Sequence, residues 1–377
     1  MKSSSKFFLC LIYLAFLFCL LPVAILAFKH PAYNFDMLGY MALVIRMDKT
    51  RNIDEVHSIT YDEARQVVPP EEYLKLVSTP SFRKKFATEP SQFQRLLPMY
   101  AVKPLYIWMC WLFYKCGFSL PAATVMPSII SYLFIGLFLF YWLKKYLGVA
   151  MAFFGGLLFM FSLFSVAIAG LSTPDCLSAL FLFLSAYFTL EKRRPGLMFF
   201  FFLLSVFTRV DNIITCFFII SFLTFIEKWR SINKPQYLFM LAILAISYIT
   251  IVLPTIQFGW NLLYYSQFSR QLDFSWDFDQ SFSFSSYLTL VKSKLATALV
   301  ASHFTFFLFL GLLITGGHFF SPGKLSFDQF FLLVLLSVTV VRFLLLPDLA
   351  DRFYFGFYLI IIILLVRKFS PQISTVR

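Results

Sequence analysis

Apolar runs of about 20 residues recur along the chain, starting at residues 7–28, and this repetition leaves few folds open. Backbone inside hydrocarbon must satisfy its peptide groups internally, so such runs become membrane-spanning helices. With 60% hydrophobic and 14% charged residues over 377 positions, the chain reads as an all-α polytopic membrane protein, one integral domain over residues 1–377. The 52 phenylalanines carry no functional weight, because lipid-facing bulk and codon bias both produce them.

Lys2 and Lys6 precede the first run, which is longer than a signal-peptide core and has no clear small-residue cleavage site. We expect an uncleaved first span. Residues 29–124 follow as a long polar loop, in which residues 48–95 hold eight acidic and eight basic side chains. The amphipathic stretches 59–67 and 71–77 predict helices lying on a membrane surface. Residues 100–117 place Lys103 and Lys115 around four Tyr or Trp residues, which suits an interfacial helix better than a span.

Charge supports that choice. With 100–117 interfacial, ten spans follow: 7–28, 125–143, 147–170, 175–190, 196–209, 211–226, 237–256, 296–316, 329–346 and 353–366. Both termini are then cytoplasmic, and the cytoplasmic segments collect 14 basic and 3 acidic residues, or +11 of the chain's net +13. This positive-inside pattern accounts for the basic character and removes nucleic acid as a partner. The loops 29–124 and 257–295 fall on the outer face.

Outside the cytoplasmic clusters, the ionisable residues in or near spans gather at that outer face: Asp175, Arg209, Asp211, Arg342, Asp351 and Arg352. Charge at the edge of a bilayer is costly and points to function. Asp36, directly after the first span, suits either of two jobs, the N-cap of a surface helix starting at Met37 or a general base. Asp175 likewise suits helix capping or chemistry. Lys103 could snorkel to headgroups. Arg209 with Asp211, and Asp351 with Arg352, could be simple ion pairs. Arg342 sits inside the ninth span, where an unpaired guanidinium is expensive. Lysines and arginines gathered at one face would hold a phosphate well. The six cysteines form no close pair and the four histidines no ligand spacing, so no metal site is expected.

A first span followed at once by Asp36, a long outer loop, Lys103-Pro104 opening an aromatic helix, Asp175 before the fourth span and Arg352-Phe353 before the last together resemble the GT-C glycosyltransferases. The likeness is to the bacterial branch related to protein O-mannosyltransferases and the lipid A aminoarabinose transferase. It covers residues 1 to about 230 in element order and thins until residues 351–354. The resemblance implies catalytic roles for Asp36 and Asp175, donor-phosphate contacts from Lys103, Arg209, Arg342 and Arg352, and pocket positions for Tyr40 and Tyr100. Many relatives carry a second acid where this chain has Met37. No cofactor is expected beyond, at most, a divalent cation.

The implied reaction transfers a sugar from a polyprenyl-phosphate donor to a lipid, glycan or protein acceptor, with inversion, at the outer face of a bacterial inner membrane. No Gly-rich phosphate loop for a nucleotide sugar is present. Competing readings are a lipid or polysaccharide transporter or flippase, and a surface-polysaccharide polymerase or ligase. A transporter predicts an internal repeat and charge near the bilayer midplane. A polymerase or ligase predicts its long outer loop late in the chain. A purely structural membrane protein predicts no dependence on Asp36.

Overall fold

The first apolar run is a helix, α1 (Lys2–Lys29), laid along α8 (Leu120–Met160). Phe16 stacks on Phe140 with ring centroids 4.9 Å apart, and Gly136 provides the gap that Leu20 fills. α8 is not one rod: Gly148 turns the chain at φ +72°, a conformation open to a residue without a Cβ. The chain breaks again at Phe161 and Ser162 before the short α9 (Leu163–Ala169). The expected spans 125–143 and 147–170 are thus one glycine-broken helix and a separate two-turn piece.

The computed structural model describes residues 2–78, 82–225, 234–258, 283–300, 303–316 and 326–370. Within them every regular element is helical; the backbone forms only one isolated β-bridge, between Ala32 and Leu171. α10 (Asp175–Tyr187) sits at the centre of the bundle, packed on α8, α11 (Pro195–Thr208) and α17 (Phe355–Phe369). Gly356 permits the approach of α17, since a Cβ there would lie 3.3 Å from the Ala179 Cα. Around this centre stand α12 (Asn212–Phe225), α13 (Lys234–Val252), α14 (Phe284–Val300), α15 (His303–Gly316) and α16 (Phe327–Leu345).

Among the described residues four helical segments are long and apolar enough to cross a membrane, Lys6–Lys29, Leu120–Met160, Pro235–Thr255 and Phe327–Leu345, or six if two bent pairs each count as one. These long apolar helices make the chain a helical membrane protein. α10 runs on without a break into the π-helical turn Phe188–Lys192, whereas α11 and α17 have 14 and 15 residues. At 1.5 Å per residue that is about 20–22 Å, short of a hydrocarbon layer about 30 Å thick. The expected span 296–316 is divided between α14 and α15. Much of the expected second outer loop, 257–295, lies outside the described residues, as do Lys228, Arg230, Lys324 and Arg377 of the expected cytoplasmic charges.

The polar loop after α1 builds a second core of its own from α2 (Asp36–Asp48), α3 (Ile53–Val67), α4 (Pro70–Ser78), α5 (Phe82–Thr88), α6 (Pro90–Ala101) and α7 (Pro104–Lys115). α3 and α4 are amphipathic, as the sequence predicts. α2 is not the expected surface helix: all residues from Met37 to Ile45 are buried, because α3, α6, α7 and α8 close over it. α6 and α7 meet at 108°, and a proline opens each of them. That angle rules out a straight span through 100–117.

One end of the bundle is closed by Glu191, which accepts from Trp142 Nε1 at 2.9 Å, Arg367 at 3.0 Å, Lys145 at 3.3 Å and the Tyr146 hydroxyl. Arg367 also pairs with Asp328 at 3.0 Å. α17 runs from this cluster to Tyr354 at the other end, where the two cores meet.

Candidate functional site

The segment after α1 is tied to the corner before α10 by backbone: the Ala32 N–H donates to the Gly170 carbonyl at 2.9 Å, forming the isolated bridge. The corner is pinned from α8, where Ser128 Oγ donates to the Leu171 carbonyl at 2.7 Å and the Thr173 carbonyl at 3.1 Å. Thr124 Oγ1 adds a bond to Ser172 Oγ at 3.0 Å. Asp36 and Asp175, 139 positions apart in sequence, are brought to one place by these contacts.

There they line a cavity of about 170 Å³ together with Tyr40, Tyr100, Lys103, Arg209, Arg342 and Arg352, so all eight residues singled out from the sequence converge. Asp211, Asp348, Tyr354 and Thr173 complete its polar wall, and Phe35, Leu96, Met99, Val102 and Phe353 its apolar one. The volume is below the roughly 300 Å³ at which pockets enclose a whole small molecule. It suits a headgroup whose remainder lies outside.

Asp36 is the first residue of α2, and Phe35 occupies the cap position. The N-cap role considered for Asp36 is therefore not the one it plays. Its Oδ1 accepts the Tyr100 hydroxyl at 3.2 Å, and its Oδ2 accepts Arg352 at 3.2 Å and the Asn34 amide at 3.4 Å. Asp175 is buried and accepts from Arg209, with Arg352 Nε at 3.8 Å from its other oxygen. Arg352 thus stands between the two candidate catalytic carboxylates. It does not pair with its neighbour Asp351, which accepts from His303 at 2.7 Å and from the Tyr358 hydroxyl at 3.1 Å.

Arg209 and Arg342 are joined through Asp211. Arg209 reaches its carboxylate at 3.1 and 2.8 Å, Arg342 contacts the same group, and Arg342 also donates to Asn212 Oδ1 at 3.3 Å. Asn212 is held in turn by its amide, which donates to Ser178 Oγ at 2.6 Å. This network answers the cost of placing a guanidinium inside α16: the charge is buried but paired.

Lys103 is housed differently. Its Nζ donates to the Met99 carbonyl at 3.0 Å and lies 5.5 and 5.2 Å from the ring centroids of Tyr40 and Tyr100. Among the described residues no carboxylate lies within ion-pair distance. Burial disfavours the ammonium and pushes its pKa down to about 8, against the opposing pull of Asp36. A lysine directed into a cavity in this way is not snorkelling.

The cavity wall carries four carboxylates, Asp36, Asp175, Asp211 and Asp348, and four cations, Lys103, Arg209, Arg342 and Arg352. Each arginine already has a carboxylate partner, so Lys103 is the cation best placed to greet an anion. Asp211 was legible as one of the outer-face charges and as a neighbour of Arg209, without a site role of its own. Asp348 offered no signal beyond its place in the short loop before Arg352. Among the described residues no group of His, Cys, Asp and Glu is arranged to hold a metal ion. No protein-family model matches the sequence, and neither a characterised protein nor a solved structure is detectably similar to it.

Proposed function

We propose that this protein is a GT-C-type glycosyltransferase that moves a sugar from a polyprenyl-phosphate donor to an acceptor hydroxyl at the outer membrane surface. The observation that carries the reading is the meeting of Asp36, Asp175, Lys103, Arg209, Arg342 and Arg352 in one cavity at one end of an apolar helix bundle. A polyprenyl chain needs the bilayer, and its phosphosugar needs cations at the bilayer edge; this arrangement supplies both. The ten-span topology with cytoplasmic termini, in a bacterial inner membrane, belongs to the same proposal.

In the reaction, Lys103 and Arg352 hold the donor phosphate by a point charge and a planar fork respectively. The acceptor oxygen attacks the anomeric carbon as its proton passes to Asp36. The anomeric C–O bond breaks, and the electron pair leaves with the lipid phosphate, whose charge the cations stabilise. Attack opposite the leaving group inverts the anomeric centre. Asp175, held by Arg209 and facing Arg352, positions the phosphate-binding guanidinium. A transporter reading has no such support, because the buried charges lie at the ends of the bundle.

The test is Asp36→Asn, assayed in membranes supplied with a polyprenyl-phosphate sugar. Asn keeps the size of Asp and still accepts from Tyr100, but it cannot take a proton. Transfer should fall by about 10²- to 10⁴-fold with donor binding retained. Near-normal transfer by the folded variant would remove Asp36 from the chemistry. Replacing Lys103 by Ala should weaken donor use by about 2–5 kcal/mol, read from kcat/KM.

A further inference from the structure

Asp36 is a poor base as it stands. Both of its oxygens accept hydrogen bonds, from Tyr100 at 3.2 Å and from Arg352 at 3.2 Å. A guanidinium beside a carboxylate favours the charged form and so opposes the proton transfer that catalysis asks of it. Something must loosen that contact before an acceptor hydroxyl can be deprotonated.

Arg352 is built to move where the other two arginines are not. The side chains of Arg209 and Arg342 are 10% and 4% exposed and are linked through Asp211. That of Arg352 is 27% exposed, and its two carboxylate contacts are at 3.2 and 3.8 Å, the second beyond hydrogen-bonding distance. Its backbone is a single 3₁₀ turn, Asp351–Phe353, between an irregular loop and α17. The Phe353 ring is 4.7 Å from the Arg209 guanidinium and 4.8 Å from that of Arg352, and the one carboxylate the two arginines share, Asp175, is held by Arg209 and only loosely approached by Arg352.

We propose that Arg352 caps Asp36 in the resting protein and that an arriving lipid phosphate draws it off. A phosphate offers the guanidinium two oxygens in fork geometry, a better match than two carboxylates shared at unequal distance. The carboxylate then loses its guanidinium contact at the moment the anomeric carbon is in place. Donor binding switches on the base, and the donor binds before the acceptor. The inference rests on the glycosyltransferase reading for the identity of the anion, but its test requires no sugar transfer.

The test is modification of carboxyl groups by a carbodiimide and an amine, read at Asp36 by peptide mass spectrometry on the full-length protein in detergent. In the wild type Asp36 should label weakly. Undecaprenyl phosphate should raise its labelling several-fold, while undecaprenol, which has the chain but no phosphate, should leave it unchanged. Arg352→Gln should label at the raised level without lipid and gain nothing from undecaprenyl phosphate. Labelling of Asp351 in the same digest reports whether the turn has kept its fold. Should that variant be misfolded, the two wild-type lipid arms decide alone. Unchanged or reduced Asp36 labelling with undecaprenyl phosphate, or an equal rise with undecaprenol, overturns the cap. A failed cap together with an inactive Asp36→Asn would leave the glycosyltransferase reading standing. An active Asp36→Asn would remove that reading whatever the labelling shows.

Discussion

Lys103 and Arg342 show two ways of keeping a cation close to lipid. Arg342 is neutralised by Asp211, which it shares with Arg209, so removing that one carboxylate takes the ion-pair partner of Arg342 and leaves Arg209 with Asp175 alone. Asp211→Asn should therefore cost about 3–5 kcal/mol, visible as a lowered unfolding temperature in detergent. Lys103 has no such partner, and burial holds its pKa near 8 rather than at the ordinary 10.5. If its ammonium grips the donor phosphate, donor KM should rise as pH climbs through about 8, and Lys103→Arg should carry the alkaline limit upward, since arginine stays charged. The sign for stability is the reverse. A lysine whose folded pKa lies below its unfolded one costs stability when protonated, so the unfolding midpoint should rise between about pH 8 and 10.5. Lys103 lies at the joint of α6 and α7, in the segment read as interfacial.

Between elements, the position of the Tyr100 hydroxyl depends on how closely α2 and α6 approach. Gly39 makes that approach possible: a Cβ there would run into the Tyr100 ring, from Cγ to the ring edge. Because the collision includes Cγ, flipping the ring about the Cβ–Cγ bond does not relieve it. Gly39→Ala should destabilise the fold by about 1–3 kcal/mol. It should also lower transfer more than that loss alone explains, since a displaced Tyr100 no longer holds Asp36 Oδ1. Normal turnover in Gly39→Ala would mean that the ring finds another place. α10 makes the same point for the sequence reading. Its apolar run is plain, yet nothing in it says that a helix of 13 residues is surrounded on all sides while its first residue, Asp175, is turned to a cavity.

At the scale of the molecule, the charge asymmetry predicts that the cavity faces outward and the Glu191 cluster inward. Cysteines placed at Gln94 and Lys192, both exposed, should label from opposite sides of sealed membranes once the exposed Cys10 and Cys116 are replaced. Labelling of both from one side would overturn the ten-span topology. By itself the sequence determined what local chemistry can determine: helical spans from apolar length, amphipathic helices in the polar loop, an aromatic helix opened by Lys103-Pro104, and which ionisable residues are too costly near lipid to be idle. It misjudged α2, because a run that is apolar all round reads alike on a surface and under four covering helices. It ran 125–143 and 147–170 as two separate spans, because hydropathy does not show where a helix breaks: the chain has one helix turned at Gly148 and a short separate one after Ser162. Only the tertiary structure decided that Arg352 meets Asp36, 316 positions away, and that Asp211 serves two arginines. Such pairings depend on a backbone bridge at Ala32, hydroxyl contacts from α8 and glycine-sized gaps, each of them set by how helices pack and none by the residues that make the site.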